Sequence, residues 1–222
     1  MSLKQSYYRY RITFAKAGMA RFIGHLDLQS LFQKAIKRAK LPVAYSEGFN
    51  PHQLLSFAAP LPLGMAGYAE ILEVFMAHEV TADRLFAALD AQLPQGIAIV
   101  GIMEVPSVGK SAAAIIRMAT YSITFSQALD LHTIIPNVLS SQSIEVEIKS
   151  KKGVKTADIR PDIHDICIET PRSLWAVLAC GSERNLKPEI LAQHILKVSG
   201  IAPEDCDISY ERLAIGQDVP PL

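Results

Sequence analysis

Cysteine is scarce in this sequence. Only three of the 222 residues are cysteines, and they lie far apart, at positions 167, 180 and 206. Iron–sulfur clusters need closely spaced thiolates, and a disulfide framework needs an even set of cysteines at short spacings. The pattern therefore argues against a cluster or a disulfide framework within this chain and predicts reduced, buried thiols.

Long hydrophobic runs are also missing. No apolar run reaches the roughly 18 residues that predict a membrane-spanning helix. The first residues, Met-Ser-Leu-Lys-Gln-Ser-Tyr-Tyr-Arg, lack the apolar centre of a signal peptide. Because half of the residues are apolar and a fifth are charged, the composition is that of a globular protein. We expect a cytoplasmic protein with no membrane partner.

The common cofactor motifs are absent. There is no HExxH metal motif and no dinucleotide-binding glycine pattern. Val108-Gly-Lys-Ser111 resembles the end of a phosphate-binding P-loop, but the upstream glycine that such a loop needs is missing. We therefore expect neither a metal site nor a cofactor in this chain.

The net charge of zero hides an uneven distribution. Residues 1–40 hold nine Lys or Arg against one Asp, a net charge of +8, whereas residues 41–148 carry −7. Residues 149–160 return to +4, and residues 161–222 carry −5. Two basic stretches on an acidic background can attract a polyanion locally. The alternative is that these cations are spread over solvated faces.

The first half of the chain has five strand-like stretches, predicted from alternation or short apolar runs at 8–16, 41–45, 54–58, 68–76 and 97–105. Between the first two, residues 28–39 carry apolar side chains at helical spacing, and Pro42 bars continuation. A second helix begins after Thr81, a favourable N-cap. This order is the ferredoxin-like βαββαβ pattern.

The second half repeats this pattern after a linker at 106–113. A helix is expected at 127–139, interrupted at Pro136, and another at 188–198 with Pro188 in its first turn. Strands are expected at 118–125, 143–149, 154–159, 163–169, 174–180 and 207–214. The predicted fold class is α+β, with two tandem ferredoxin-like halves, 1–113 and 114–222, and antiparallel sheets.

The helix at 28–39 carries the first candidate site. Its apolar stripe is buried, so Lys34, Lys37 and Arg38 must project elsewhere, where they can contact phosphates along a nucleic-acid backbone. Arg21 and His25 flank a glycine just before the helix, and a helix entry of this kind offers free N–H groups to phosphate. The alternatives are a simple solvated face and, for His25, an N-cap role.

The loop from Tyr45 to His52 is the second candidate site. Gly48 and Asn50-Pro51 favour turns. Tyr45 and Phe49 can stack on unpaired bases, although each is equally suited to a core. Glu47 and His52 can form an acid–base pair, which makes them and His25 catalytic candidates, whereas hydrogen bonding by Ser46 and its neighbours is the simpler role.

A second basic segment lies in the other half. Its cations include Lys151, Lys152, Lys155 and Arg160, on an expected hairpin. They are candidates for phosphate binding, but lysines on an exposed strand edge also prevent aggregation. The polar turn at 181–188 leads into a helix and can hold an anion there, or it can serve only as a cap.

Five segments together resemble one bacterial family. They are Arg-Phe-Ile-Gly-His-Leu-Asp-Leu at 21–28 and the stretches at 39–52, 56–64, 151–161 and 181–188. This pattern is similar to the radical-SAM-linked family, whose members are fused to radical SAM enzymes or encoded beside them. Gln53 departs from the family pattern, in which proline follows Asn-Pro-His.

The resemblance implies a partner, not a reaction. Because this chain lacks a cluster-binding cysteine triad, radical chemistry would occur in a separate radical SAM enzyme. We expect a non-catalytic module that binds RNA or presents a substrate in tRNA, rRNA or ribosome-related metabolism. The alternatives are a metal-independent RNA-processing enzyme with a histidine base, similar in fold to CRISPR repeat-processing endoribonucleases, and a protein-only adaptor.

Overall fold

The computed structural model describes residues 7–150 and 153–218, with the side chains of residues 149 and 150 left out of the description. The chain divides into two compact units, Met1–Ile116 and Arg117–Leu222, called unit 1 and unit 2. The fold is mixed α+β, with mostly antiparallel strand pairing and five α-helices in the described ranges. This confirms the predicted class.

Unit 1 alternates strands and helices. Its helices are α1 (His25–Arg38), α2 (Ala82–Asp90) and the single-turn α3 (Ala112–Ile115), and a 3-10 helix spans Gly18–Phe22. Its strands are β1 (Tyr8–Lys16), β2 (Leu55–Phe57), β3 (Ala66–Met76) and β4 (Ile97–Val105). The strands lie in the order β4-β1-β3-β2, with every neighbouring pair antiparallel.

One face of the unit 1 sheet packs under α1 and α2. Tyr10, Ile12 and Phe14 alternate along β1 toward the core, where they meet Phe32 and Leu85 from the two helices. Fully burying one such large side chain stabilises the fold by roughly 1.5–3 kcal/mol. The apolar stripe of α1 therefore fixes which of its faces remains open to solvent.

The other face of this sheet holds a buried ion pair. Arg9 Nη2 lies 2.7 Å from Glu73 Oε1, and both side chains are almost wholly buried. Glu73 Oε2 also accepts from the Ala112 amide at 2.9 Å, and Arg9 Nη2 donates to the Lys110 carbonyl at 2.7 Å. The pair thereby holds residues 110–112, which follow β4, against the rest of unit 1.

Unit 2 contains a longer set of strands. They are β5 (Met118–Phe125), β6 (Glu145–Ser150), β7 (Gly153–Asp158), β8 (Ile163–Thr170), β9 (Ser173–Ala179) and β10 (Ile208–Gly216). Its helices are α4 (Leu131–Ser140) and α5 (Pro188–Val198). Four strands pair antiparallel in the order β10-β5-β9-β8. The hairpin β6-β7 forms a separate two-stranded sheet, inserted between α4 and β8.

Two predictions about local structure were wrong. Pro136 does not interrupt its helix, because α4 runs through it with Ile134, Ile135 and Val138 buried, while Pro136 itself is exposed. Burial of this stripe outweighs the roughly 3 kcal/mol that an interior proline costs. Residues 41–45 form no strand and make only isolated bridges at Val43 and Tyr45.

None of the helices in the described ranges is both long and apolar enough to cross a membrane.

The end of α1 carries a residue in an unfavourable backbone conformation. Lys40 has φ of 52°, in the left-handed region that favours glycine. The amides of Lys40 and Leu41 donate to the carbonyls of Lys37 and Ile36, the hydrogen bonds of a Schellman motif. Helix α5 ends with the same two bonds, but there Gly200 occupies the left-handed position, with φ of 69°.

We therefore expect Lys40→Gly to raise the free energy of unfolding by about 1 kcal/mol, because it relieves the left-handed strain. Urea unfolding followed by circular dichroism measures the change. Lys40→Ala removes the side chain without relieving the strain and is the matched control. Equal stability of Lys40→Gly and the wild type would contradict the assignment of strain at Lys40.

Candidate nucleic-acid interface

The entry to α1 is held by a buried lysine. Lys16 is 1% exposed, and its Nζ donates to the Ile23 carbonyl at 2.8 Å. The N-cap of α1 is Gly24, with no side-chain cap, and His25 is the first helical residue. The interpretation of His25 as the N-cap is therefore wrong.

His25 packs on an aromatic cluster. Its ring lies edge-on to Phe57, with 5.4 Å between the centroids. Phe57 in turn contacts Phe14 and Phe32, each at 5.8 Å. Because Phe57 belongs to β2, this contact joins the start of α1 to the third of the family-like segments. His25 has a packing role in the structure, and its proposed phosphate contact stays a prediction.

The three family-like segments of unit 1 converge around α1. The Gly64 amide donates to the Arg21 carbonyl at 2.9 Å, which places the end of the 56–64 stretch beside the 3-10 helix. Farther along, Gln53 Nε2 donates to the Gln33 carbonyl in the middle of α1, at 3.2 Å. The segments that the sequence suggested as functional therefore form one continuous region of unit 1.

The outer face of α1 carries two cations, Lys34 and Lys37, together called the cation face. Both are exposed, and within the described residues neither side chain makes a hydrogen bond or an ion pair. Arg38 differs, because its Nη2 donates to the Gln92 carbonyl at 2.7 Å, just beyond the end of α2. Arg21 is exposed, with its guanidinium 4.8 Å from the centre of the Phe22 ring.

The loop 45–52, called the recognition loop, is closed at its base by side chain and backbone. The Ser46 amide donates to the His52 carbonyl at 2.8 Å, and Ser46 Oγ lies 2.8 Å from His52 Nδ1. Tyr45 pairs with Gln53 in an isolated bridge. The predicted partner of His52, Glu47, is exposed and makes no bond to it in the structure. These contacts hold the loop as a closed turn.

The tip of this loop presents an aromatic ring to solvent. Gly48 has φ of 113°, a conformation that only glycine adopts without strain. Phe49 follows and is fully exposed, while Tyr45 at the base is half exposed. Asn50 and Pro51 complete the exposed tip. Of the two roles open to Phe49, the structure excludes the core.

An apolar patch beside this region was not predicted from the sequence. It consists of four side chains that are each more than half exposed: Met19, Phe22, Leu26 and Leu63. The 3-10 helix and the first turn of α1 carry the first three. Leu63 precedes Gly64, where an added Cβ would lie 3.8 Å from the Phe22 ring. One feature of the sequence could have revealed this patch: Leu26 is an apolar residue on the polar side of α1.

The described cations of the second basic segment differ in their exposure and contacts. Lys155 is exposed on β7, whereas Lys151 and Lys152 lie outside the described residues. Arg160 turns inward, since Nη2 donates to the Leu139 carbonyl at 2.7 Å and Nη1 to the Ile163 carbonyl at 2.8 Å. The Arg160 guanidinium therefore ties the end of α4 to the start of β8.

A carboxylate fixes the base of this hairpin. Asp158 Oδ1 accepts from the Ile144 amide at 2.8 Å and from the Arg160 amide at 3.0 Å. These two backbone hydrogen bonds hold the pKa of Asp158 below its usual range. The local role of Asp158 and Arg160 is thus to close the hairpin onto unit 2.

Within residues 7–150 and 153–218, no three His, Cys, Asp or Glu side chains are grouped to hold a metal ion. The cation face suits phosphate oxygens, and an exposed ring such as Phe49 suits a nucleobase. The convergent region of unit 1 therefore offers two kinds of group that nucleic-acid-binding proteins use.

One family model matches most of the chain. Residues 9–188, which cover most of both units, match the model of a family described as an uncharacterised protein conserved in bacteria (DUF2344). No curated protein matches the chain. The chain therefore belongs to this uncharacterised bacterial family, DUF2344.

Proposed function

We propose that this protein is an RNA-binding accessory module that acts in the cytoplasm with a radical SAM enzyme on tRNA, rRNA or a ribosomal component. The observation that carries the RNA-binding part is the pairing of the cation face with the recognition loop. Gln53, which closes the loop, is anchored at Gln33, the residue before Lys34. The two lysines of the cation face therefore lie on α1, and the exposed ring of Phe49 lies on the loop that is anchored to α1.

The chemistry of these two features favours single-stranded RNA. Lys34 and Lys37 have no carboxylate partner in the described residues, so they are available to phosphates. Phe49 can stack on a base only when that base is unpaired. A duplex offers phosphates but hides its bases, whereas a loop or an unpaired end offers both.

The fold supports a two-part module. In each unit the first and third strands pair at the centre and the fourth and second strands flank them, if the β6-β7 hairpin is set aside. This is the strand order of a ferredoxin-like βαββαβ unit. We propose that both units are ferredoxin-like, and that the chain arose as two such halves, near 1–113 and 114–222.

The link to radical SAM chemistry rests on the resemblance of the family-like segments. The three cysteines are too far apart in sequence to supply a cluster-binding triad, so the radical reaction is assigned to the partner enzyme. In this proposal the present chain holds the RNA, and the partner modifies it.

Charge reversal on the cation face tests the phosphate contacts. We expect Lys34→Glu combined with Lys37→Glu to weaken binding to a single-stranded RNA by about tenfold or more at low salt, and to flatten the salt dependence. Fluorescence anisotropy with a labelled oligonucleotide measures both effects. Arg84→Glu is the control, because Arg84 is an exposed cation in the first turn of α2 with no ion-pair partner among the residues that the structure describes. Equal losses in the two variants would contradict a specific cation face.

Removal of the exposed ring tests base stacking. We expect Phe49→Ala to weaken binding to single-stranded RNA by about 1–3 kcal/mol, the usual contribution of one stacked base. Binding to double-stranded RNA and the unfolding midpoint should stay unchanged, since Phe49 buries nothing. Val108→Ala, at another exposed loop position, is the matched control. Equal weakening for both RNA forms would argue against stacking on Phe49.

A protein-only adaptor is the second candidate, and the apolar patch favours it. Exposed side chains that cluster in this way commonly mark a protein contact. The Gly64 amide donates to the Arg21 carbonyl, and the Lys16 ammonium donates to the Ile23 carbonyl. These two bonds hold the patch in place. In this alternative the patch binds the radical SAM enzyme directly and RNA plays no part.

Leu26→Ser tests this alternative, because Leu26 is 75% exposed and contributes little to the core. Co-purification with a radical SAM enzyme from the same organism should be lost in the variant and kept in Val154→Ser, which alters an exposed apolar residue on β7. Retention of the enzyme by Leu26→Ser would contradict docking at the patch.

A further inference from the structure

A groove runs between the hairpin β6-β7 and helix α5 of unit 2. Its volume is about 390 Å³, within the roughly 300–1,000 Å³ that is usual for ligand-binding clefts. The lining residues are Glu145, Val146, Glu147 and Thr156 from the hairpin and Ile190, Gln193, His194 and Lys197 from α5. The groove therefore belongs to a different unit from the cation face and the recognition loop.

The hairpin wall of the groove is the outer edge of β6. Three consecutive residues, 145–147, line the groove, so it follows the backbone of the strand and not one of its faces. The Ile159 amide donates to the Ile144 carbonyl at 2.9 Å, on the side of β7. Because this direction alternates along an antiparallel strand, the amides and carbonyls of Glu145 and Glu147 point away from β7. No other strand in the described ranges pairs with that edge.

The opposite wall is one side of α5. Its lining residues recur at intervals of three and four between 190 and 197, which covers about 10 Å along the helix. An extended chain rises about 3.3 Å per residue, so roughly three residues of a strand fit along this wall. Gln193 and Lys197 are exposed, and Ile190 and His194 are half-buried. A strand in the groove would pair with β6 on one side and contact α5 on the other.

The charge of the groove indicates what kind of strand fits. Glu145 and Glu147 project from the same face of β6, because residues two apart in a strand share a face. Within residues 7–150 and 153–218, neither glutamate side chain makes a hydrogen bond or an ion pair. Partial burial and the Lys197 ammonium hold the pKa of His194 below its ordinary value, so the imidazole is neutral at pH 7. Two carboxylates therefore face one ammonium, and the strand wall is acidic.

Pairing rules between neighbouring strands extend this argument to the sequence of the ligand. Opposite charges on directly opposed residues stabilise a pair of strands, so basic residues suit the positions facing Glu145 and Glu147. Val146 projects from the other face of β6, where a β-branched apolar neighbour packs well. A strand that alternates basic and β-branched apolar residues therefore complements both faces of the edge.

We propose that this groove binds an extended peptide of a partner protein, which adds to β6 as an antiparallel strand with Lys or Arg side chains opposite Glu145 and Glu147. Main-chain hydrogen bonds supply affinity in this mode of binding, and the alternating side chains supply specificity. A third strand also stabilises a two-stranded hairpin, which is marginally stable by itself. The proposal does not depend on RNA binding by unit 1.

Titration of the full chain with the blocked heptapeptide Thr-Lys-Val-Lys-Val-Lys-Thr tests the site, with calorimetry and amide chemical shifts as the readouts. We expect saturable binding with a Kd below about 1 mM and the largest shifts at 145–148 and 190–197. The same peptide with Glu in place of each Lys should bind at least tenfold more weakly. No saturable binding of the lysine peptide, or equal binding of the two peptides, would overturn the proposal.

N-methylation of the peptide separates strand pairing from simple charge attraction. In the proposed antiparallel pairing, the lysines opposite Glu145 and Glu147 exchange both hydrogen bonds with them. Methyl groups on the lysine amides should therefore abolish binding, whereas methyl groups on the valine amides should leave most of it. Equal losses from the two kinds of methylation would contradict strand addition to β6.

Substitution of the acidic wall tests the charge pairing. Glu145→Gln combined with Glu147→Gln should weaken binding of the lysine peptide by about tenfold, because two opposite-charge pairs are lost. The matched control is Glu204→Gln, which neutralises an exposed carboxylate in the 3-10 helix Pro203–Asp205 and should leave the affinity unchanged. If the double variant fails to fold, the methylated peptides decide. Wild-type affinity in the double variant would overturn the proposal, as would a dimer of the free protein that the double variant dissociates, since a second copy would then occupy the groove.

Discussion

The ammonium of Lys16 lies buried beneath the start of α1 and donates a hydrogen bond to the Ile23 carbonyl. Burial of a charge costs several kcal/mol unless polar partners compensate it, so the surrounding backbone must keep its position. This contact fixes Ile23, the residue between the 3-10 helix and the N-cap of α1. Arg21, the apolar patch and the first turn of α1 flank this fixed point.

The proposed RNA-binding surface consists of cations that the fold does not use for its own contacts. Arg9 and Glu73 neutralise one another inside unit 1, and Arg160 binds backbone carbonyls inside unit 2. Arg38 likewise donates to the Gln92 carbonyl. Lys34 and Lys37 are not used in this way in the described residues, which is why they, and not the total charge of the segment, carry the RNA-binding proposal.

Much of the secondary structure was predictable because it follows from periodicity. The strands at 8–16, 97–105 and 118–125 and the helix at 188–198 agree with the predicted bounds to the residue. Alternation and helical spacing are local properties that a single sequence displays. Pro136 was misjudged because burial of its neighbours, a tertiary effect, outweighs the local cost of proline in α4.

The candidate site was predictable in location but not in detail. The cluster of cations and turn formers in residues 21–64 pointed to segments that the structure brings together in unit 1. Which arginines donate to carbonyls depends on contacts between residues far apart in sequence, such as Arg38 with Gln92 or Arg160 with Leu139. The full exposure of Phe49 depends likewise on how Gln53 anchors the recognition loop to α1.

Ultraviolet crosslinking of the protein to RNA in cells, with mass-spectrometric mapping of the crosslinked residues, tests the central claim most directly. The account predicts that RNA is recovered with the protein and that the crosslinked nucleotide is attached within the recognition loop, at Phe49 or Tyr45. Recovery of no RNA above the level of uncrosslinked cells, or crosslinks that all lie outside this loop and the cation face, would contradict it.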